Sequence, residues 1–109
     1  IIGNVEGKTC ILLDDIVDTA GSLCGAAQAL VERGGAKEVF ACATHGVLSG
    51  PAIERINNSC IKELLFLDTI PYPADQPKSD KIRYLTTSSV FAEAIRRIYE
   101  EVSISNLFD

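Results

Sequence analysis

The chain has 109 residues, 10 Lys and Arg against 15 Asp and Glu for a formal net charge of −5, and a hydrophobic content of 47%. That length suits one small domain with a sizeable core, and the acidic balance, with no dense Lys/Arg tract, excludes a broad nucleic-acid-binding face. No apolar run approaches the ~20 residues a membrane span needs, and no signal-peptide pattern opens the chain. It begins at Ile1 without a methionine, so a preceding portion is expected in the parent protein.

The predicted elements alternate. Residues 9–13 (TCILL) form a continuous apolar run, as for a strand covered on both faces. Leu23, Ala26, Ala27, Leu30 and Val31 recur at helical spacing, and Gly34-Gly35 supplies the stop. Val39–Thr44 reads as a second buried strand. Ser49-Gly50-Pro51 opens a short helix with Ile53 and Ile56 facing inward. Leu64–Leu67 is a third strand closed by Asp68, and the proline-rich stretch 71–81 is a surface loop. Ile82–Thr86 is a weaker fourth strand. Ser88-Ser89 can cap a last helix with Phe91, Ala94, Ile95, Ile98 and Val102 on its inner stripe. Strand–helix alternation with short connections predicts an α/β fold, a mainly parallel sheet with helices on both faces.

Cys10, Cys24, Cys42 and Cys60 form no C-x-x-C pair, and the one histidine, His45, has no cysteine at metal-motif spacing. Three of the four sit in apolar segments, where a reduced thiol behaves as a small hydrophobe. Reduced cysteines and a cytoplasmic location are the expectation.

The chemistry concentrates in residues 11–22, ILLDDIVDTAGS. Asp14, Asp15 and Asp18 crowd the end of the first strand, and two carboxylates about 5 Å apart at an effective dielectric of about 20 repel by roughly 3 kcal/mol. Solvent, a cation or a ligand with hydroxyl donors must offset that. In open α/β sheets ligands gather at the carboxyl ends of the strands. The following Thr19-Ala20-Gly21-Ser22 leads into a helix N-terminus, whose free N–H groups favour an anion. Acceptors in front and donors behind suit a sugar phosphate: carboxylates for ribose hydroxyls, amides and the hydroxyls of Thr19 and Ser22 for the phosphate. An acidic helix cap would need only Asp18.

A receiver-type signalling domain would also place paired acids after its first strand, with FLDTIP imitating its phosphoacceptor. It would require a lysine after the last strand, where this chain has Thr86-Thr87. In THGVLSGPA (44–52), His45 is either an acid/base group or, as preferred, a hydrogen-bonded residue fixing a loop. Gly46, Ser49 and Gly50 would let that loop run near a ligand. EAIRR (93–97) reads as a solvated basic patch on a surface helix.

With these residues in view, the whole chain resembles the C-terminal domain of 5-phosphoribosyl-1-pyrophosphate (PRPP) synthetase, the ribose-phosphate pyrophosphokinase family. The stretches that carry the resemblance are GKTCILLDDIVDTAGSL, ATHGVLSGPAIERINNS, LDTIP and FAEAIRRIYEEVSISNLF. DDIVDTAGS alone would indicate only a PRPP-binding loop shared with phosphoribosyltransferases. The resemblance implies a type I phosphoribosyltransferase-like fold over 1–109. It also implies transfer of the diphosphoryl group of ATP to ribose 5-phosphate, with Mg²⁺, giving PRPP and AMP for nucleotide biosynthesis. By the family's pattern, Asp14 and Asp18 hold ribose hydroxyls, Asp15 orients the loop or meets a Mg²⁺-bound water, and Thr19, Ala20, Gly21 and Ser22 cradle the 5-phosphate.

Family members are longer. Their ATP site, catalytic residues and main Mg²⁺ ligands are expected outside this chain, which is therefore expected to be inactive alone. Homo-oligomerisation of the full-length protein is implied too. So is a regulatory nucleotide site using Ser103, Ser105 and Phe108. A non-catalytic regulator of the same family, or a phosphoribosyltransferase, is the alternative parent.

Overall fold

The computed structural model describes residues 3–100, without the side chains of residues 90, 91 and 97–99. Strand β1 (Thr9–Val17) leads to helix α1 (Gly21–Glu32), β2 (Glu38–Gly46), the short α2 (Ala52–Asn57), β3 (Ile61–Leu67), β4 (Ile82–Leu85) and α3 (Ser88–Tyr99). The strands form one sheet in the order β1-β2-β3-β4, and every pair is parallel. The α/β class and the parallel sheet are thus as expected.

Two features differ from the sequence reading. First, β1 does not end at the aspartates. The ladder continues through Asp14 opposite Ala43 and Ile16 opposite His45 to Val17 opposite Gly46. A ladder is made of backbone groups, so the carboxylates can remain in water while their amides pair. Ile16 and Val17, both β-branched, favour the extension.

Second, helices α1 and α2 lie on the same side of the sheet. Because the strands run in chain order, right-handed crossovers bring successive helices to the same face. Helix α1 touches β1, β2 and α2, and Leu23 and Ala27 of α1 share a buried cluster with Ile53 and Ile56 of α2 and with Val39, Ala41, Ala43, Ile61, Leu64 and Phe66 of the sheet. Each fully buried Leu, Ile or Phe contributes roughly 1.5–3 kcal/mol. On the opposite face of β1, Ile11 is 62% and Leu13 81% exposed. The strand read as covered on both faces is bare on one. Ile95 of α3 is exposed as well; the side chains of Phe91 and Ile98, and Val102, lie outside the described residues.

The loop from 68 to 81 folds back over β4. Tyr72 meets Tyr84 edge-on with ring centroids 6.3 Å apart, and Tyr84 meets Phe66 at 5.9 Å. The Tyr72 hydroxyl donates to the Pro77 carbonyl. All four cysteines are free thiols, with only Cys60 fully exposed. No helix among the described residues is long and apolar enough to cross a membrane.

Gly46, the last residue of β2, allows the closest packing in the core. A Cβ there would stand 3.1 Å from three atoms of the Phe66 ring. Gly46→Ala should therefore destabilise the chain by about 1–3 kcal/mol in urea unfolding. Gly25→Ala, where an added Cβ meets nothing within 4 Å, should instead stabilise it by about 0.5–1 kcal/mol. Equal midpoints for the two variants would contradict this packing.

Candidate functional site

The carboxyl end of β1 and the start of α1 enclose a cavity of about 240 Å³ lined by Asp14, Ile16, Val17, Asp18, Thr19, Ala20, Gly21, Ser22 and Leu23. Six of the seven residues singled out for sugar-phosphate binding thus border one space. Asp15 does not. Alternation along the extended β1 turns its side chain to the other face, where it lines a trough with Leu13, Cys42, Thr44, Leu65 and Leu67 that Asp14 also borders. Its amide donates to Asp14 Oδ1 at 2.7 Å. Crowding is therefore relieved partly by geometry: neighbouring aspartates of a strand point apart, and all three are exposed.

The donor side is an uncapped helix N-terminus. The first intrahelical bond at this end runs from the Cys24 amide to the Ala20 carbonyl, 3.0 Å, so the amides of Gly21, Ser22 and Leu23 have no partner within the helix. No side chain caps them. The N-cap is Ala20, in the left-handed region at φ 67°, ψ 8°, and only 5% exposed. For a residue with a Cβ that conformation costs about 1–2 kcal/mol. An Asp, Asn or Ser cap would have satisfied one of these amides from within the chain; alanine leaves all three open.

The loop after β2 holds this arrangement from the side. Val47 and Leu48 amides donate to the Val17 carbonyl at 3.0 and 3.2 Å, and the Ser49 amide donates to the Asp18 carbonyl at 2.8 Å. Leu48 is buried, at φ 57°. The loop thus runs against the backbone of the candidate site, not into the cavity.

Two further residues have structural partners. The single hydroxyl proton of Thr69 goes to the Thr44 carbonyl at 3.2 Å, so the hydroxyl oxygen accepts from His45 Nδ1–H at 2.7 Å. That is the loop-fixing histidine, in the Nδ1–H tautomer. Asp68 Oδ1 accepts from both the amide and the hydroxyl of Thr87 at 2.8 Å. These bonds, the amide first, hold its carboxyl below the ordinary aspartate range. A phosphoacceptor would need that carboxylate free, so the receiver reading fails here too.

At the start of α3 the Ser88 amide is taken by Thr86 Oγ1 at 3.1 Å. Farther along, Arg96 is engaged by Glu93 and, at 2.6 Å, by Glu100, which leaves less of a basic patch than EAIRR suggested.

One residue at the site was not anticipated. Arg55 of α2 donates from Nη1 to the Thr19 carbonyl at 3.1 Å, and the same atom lies 3.2 Å from where a Gly21 Cβ would stand. Gly21 is thus open toward Arg55, behind the loop. Nothing in spacing points to a contact across 36 residues. Ser103, Ser105 and Phe108 lie outside the described residues.

Residues 1–109 match the family described as "Phosphoribosyl synthetase-associated domain". The chain belongs to that family. It is 63% identical over its whole length to a ribose-phosphate pyrophosphokinase of Clostridium tetani, covering 33% of that protein. Over 99% of its length it is 56% identical to the enzyme of the same name from Bacillus subtilis, again covering 33% of it. Its structure resembles the crystal structure of phosphoribosylpyrophosphate synthetase from Mycobacterium smegmatis with a TM-score of 0.82 and 39% identity, over 92% of this chain and 33% of that one. The chain thus spans about a third of the length of the relatives it matches.

Two measurements check the local chemistry. Nitrogen chemical shifts of His45 should report the Nδ1–H tautomer, and Thr69→Val should abolish that preference; an Nε2–H ring would refute the assignment. The lowered pKa of Asp68 means that its link to Thr87 is fully present above the ordinary carboxylate pKa. The link is lost as pH falls through the lowered folded value. The Thr87 amide should accordingly titrate with a midpoint below the usual aspartate range, and a midpoint at or above that range would contradict the bond.

Proposed function

We propose that this chain is the ribose-phosphate-binding, C-terminal part of a ribose-phosphate pyrophosphokinase. In that reading the parent transfers the diphosphoryl group of ATP to the anomeric hydroxyl of ribose 5-phosphate, giving PRPP and AMP. The observation that carries the reading is the single cavity bounded by Asp14 and Asp18 on one side and the uncapped amides of α1 on the other. The names of the relatives, which contain both ribose phosphate and pyrophosphate transfer, agree with it.

Asp14 and Asp18 accept hydrogen bonds from the ribose hydroxyls. The amides of Gly21, Ser22 and Leu23, with the hydroxyls of Thr19 and Ser22, surround the 5-phosphate, where the helix dipole favours negative charge. Phosphoryl transfer depends chiefly on positioning and charge neutralisation, so the contribution of this chain is to hold the acceptor sugar in place. Asp15, turned to the other face, stands outside the sugar contacts.

Mg²⁺ when bound would neutralise charge on the phosphates. Among the described residues no three His, Cys, Asp or Glu side chains gather closely enough to hold a metal ion by themselves; Mg²⁺ beside a phosphate commonly rests on one or two carboxylates with phosphate oxygens and water, and in this reading its main protein ligands belong to the rest of the parent. The ATP site and catalytic groups belong, in this reading, to the rest of the parent. So do the oligomer contacts and the nucleotide site to which Ser103, Ser105 and Phe108 would contribute in a cytoplasmic enzyme.

Titration of the chain with ribose 5-phosphate, followed by amide NMR, should shift Gly21, Ser22 and Leu23 first. Asp18→Ala should weaken ribose 5-phosphate while leaving inorganic phosphate bound as well or better, because it removes a sugar acceptor and a neighbouring negative charge. Given ATP, Mg²⁺ and ribose 5-phosphate, the 109-residue chain alone should form no PRPP. Loop amides that stay unmoved at millimolar ribose 5-phosphate, or equal losses for both ligands in Asp18→Ala, would defeat the proposal.

A further inference from the structure

Arg55 reaches the phosphate loop from behind. Its guanidinium lies in the groove between α1 and α2, lined also by Cys24, Glu54, Ser59 and Cys60, and it does not line the cavity in front. Its place is beside the loop backbone, behind that cavity. What it does touch is the Thr19 carbonyl, through Nη1 at 3.1 Å.

In a trans peptide the C=O and the following N–H point in opposite directions. A Thr19 carbonyl anchored to the rear turns the amide of Ala20 toward the front, where the cavity lies. The left-handed turn at Ala20 then brings the free amides of α1 round beside it.

Charge points the same way. Asp14, Asp15 and Asp18 make the strand end strongly acidic, an unfavourable neighbourhood for a phosphate. Among the described residues the ion pairs are Lys62–Glu38, Arg83–Glu63 and Arg96 with Glu93 and Glu100. Arg55 is in none of them, and its hydrogen bond goes to the loop. A bidentate-capable, permanently charged side chain is therefore held directly behind the amides.

We infer that Arg55 is a positioning residue for the ligand phosphate: it sets the Thr19–Ala20 peptide plane and supplies the positive charge behind the loop. This rests on the reading that the loop binds the phosphate of ribose 5-phosphate.

The test compares the 109-residue chain with Arg55→Gln, Arg55→Lys and Gly21→Ala by amide NMR titration with ribose 5-phosphate and with inorganic phosphate. Arg55 is exposed, so all of its variants should fold. Arg55→Gln should weaken both ligands about tenfold, flatten the salt dependence of binding, and remove the ligand-induced shift of the Ala20 amide. Arg55→Lys should recover part of the affinity. Gly21→Ala, whose methyl would crowd Nη1 at 3.2 Å, should reproduce a milder form of the loss with the arginine still present. A residue that only packs would lower the melting temperature without changing the salt dependence or the Ala20 shift.

If the parent chain binds and Arg55→Gln binds as well with its Ala20 shift intact, the role of Arg55 is refuted and the phosphate site stands. If the unmodified chain binds neither ligand at the loop, the phosphate reading fails and takes this role with it.

Discussion

The site depends on how far β1 and β2 stay paired. Their parallel ladder runs past the aspartates to Val17 and Gly46, so the two connections that follow leave the sheet side by side. Only then can the amides of residues 47 to 49 reach the carbonyls of Val17 and Asp18. Those bonds fix where the loop at residues 18 to 22 begins. Where that ladder ends, the missing Cβ of Gly46 leaves room for the buried ring of Phe66, which a side chain there would have to displace.

The element order was legible because each signal was local. Apolar runs marked the strands, Gly34-Gly35 stopped the first helix, and prolines marked the loop at 71–81. The clustering of Asp14, Asp18 and Thr19–Ser22 was legible for the same reason, being contained in nine consecutive residues. What escaped was set by partners distant in sequence. Aspartate is disfavoured in strands, so nothing local told that the first strand would continue through Asp14 and Asp15, and with it the separation of those two carboxylates to opposite faces. Ile11 and Leu13 look like core residues. They are exposed because strands in chain order collect α1 and α2 on one side. Arg55 looks like any charged residue on a short helix, and its contact with the Thr19 carbonyl comes from the fold bringing α2 behind the loop.

The acidic and the donor-rich halves of the site illustrate two ways of keeping groups available. The carboxylates remain at the surface, where water screens them and their mutual repulsion is small. The amides remain available because the chain declines to cap its own helix. Thr19 and Ser22 could each offer a hydroxyl to that end, yet neither forms a cap. Residues elsewhere behave differently: His45 and Asp68 are both committed to threonines, and they tie the ends of β2 and β3 to neighbouring loops.

Ala20 has a consequence for the energetics of association. Its methyl group is buried in the core while its backbone takes a left-handed turn, so in the proposed reading the shape of the loop is set by folding before a ligand arrives. Little chain entropy is left to lose at that moment. Under that reading, recognition of an anion here exchanges water for amide dipoles that folding has already placed.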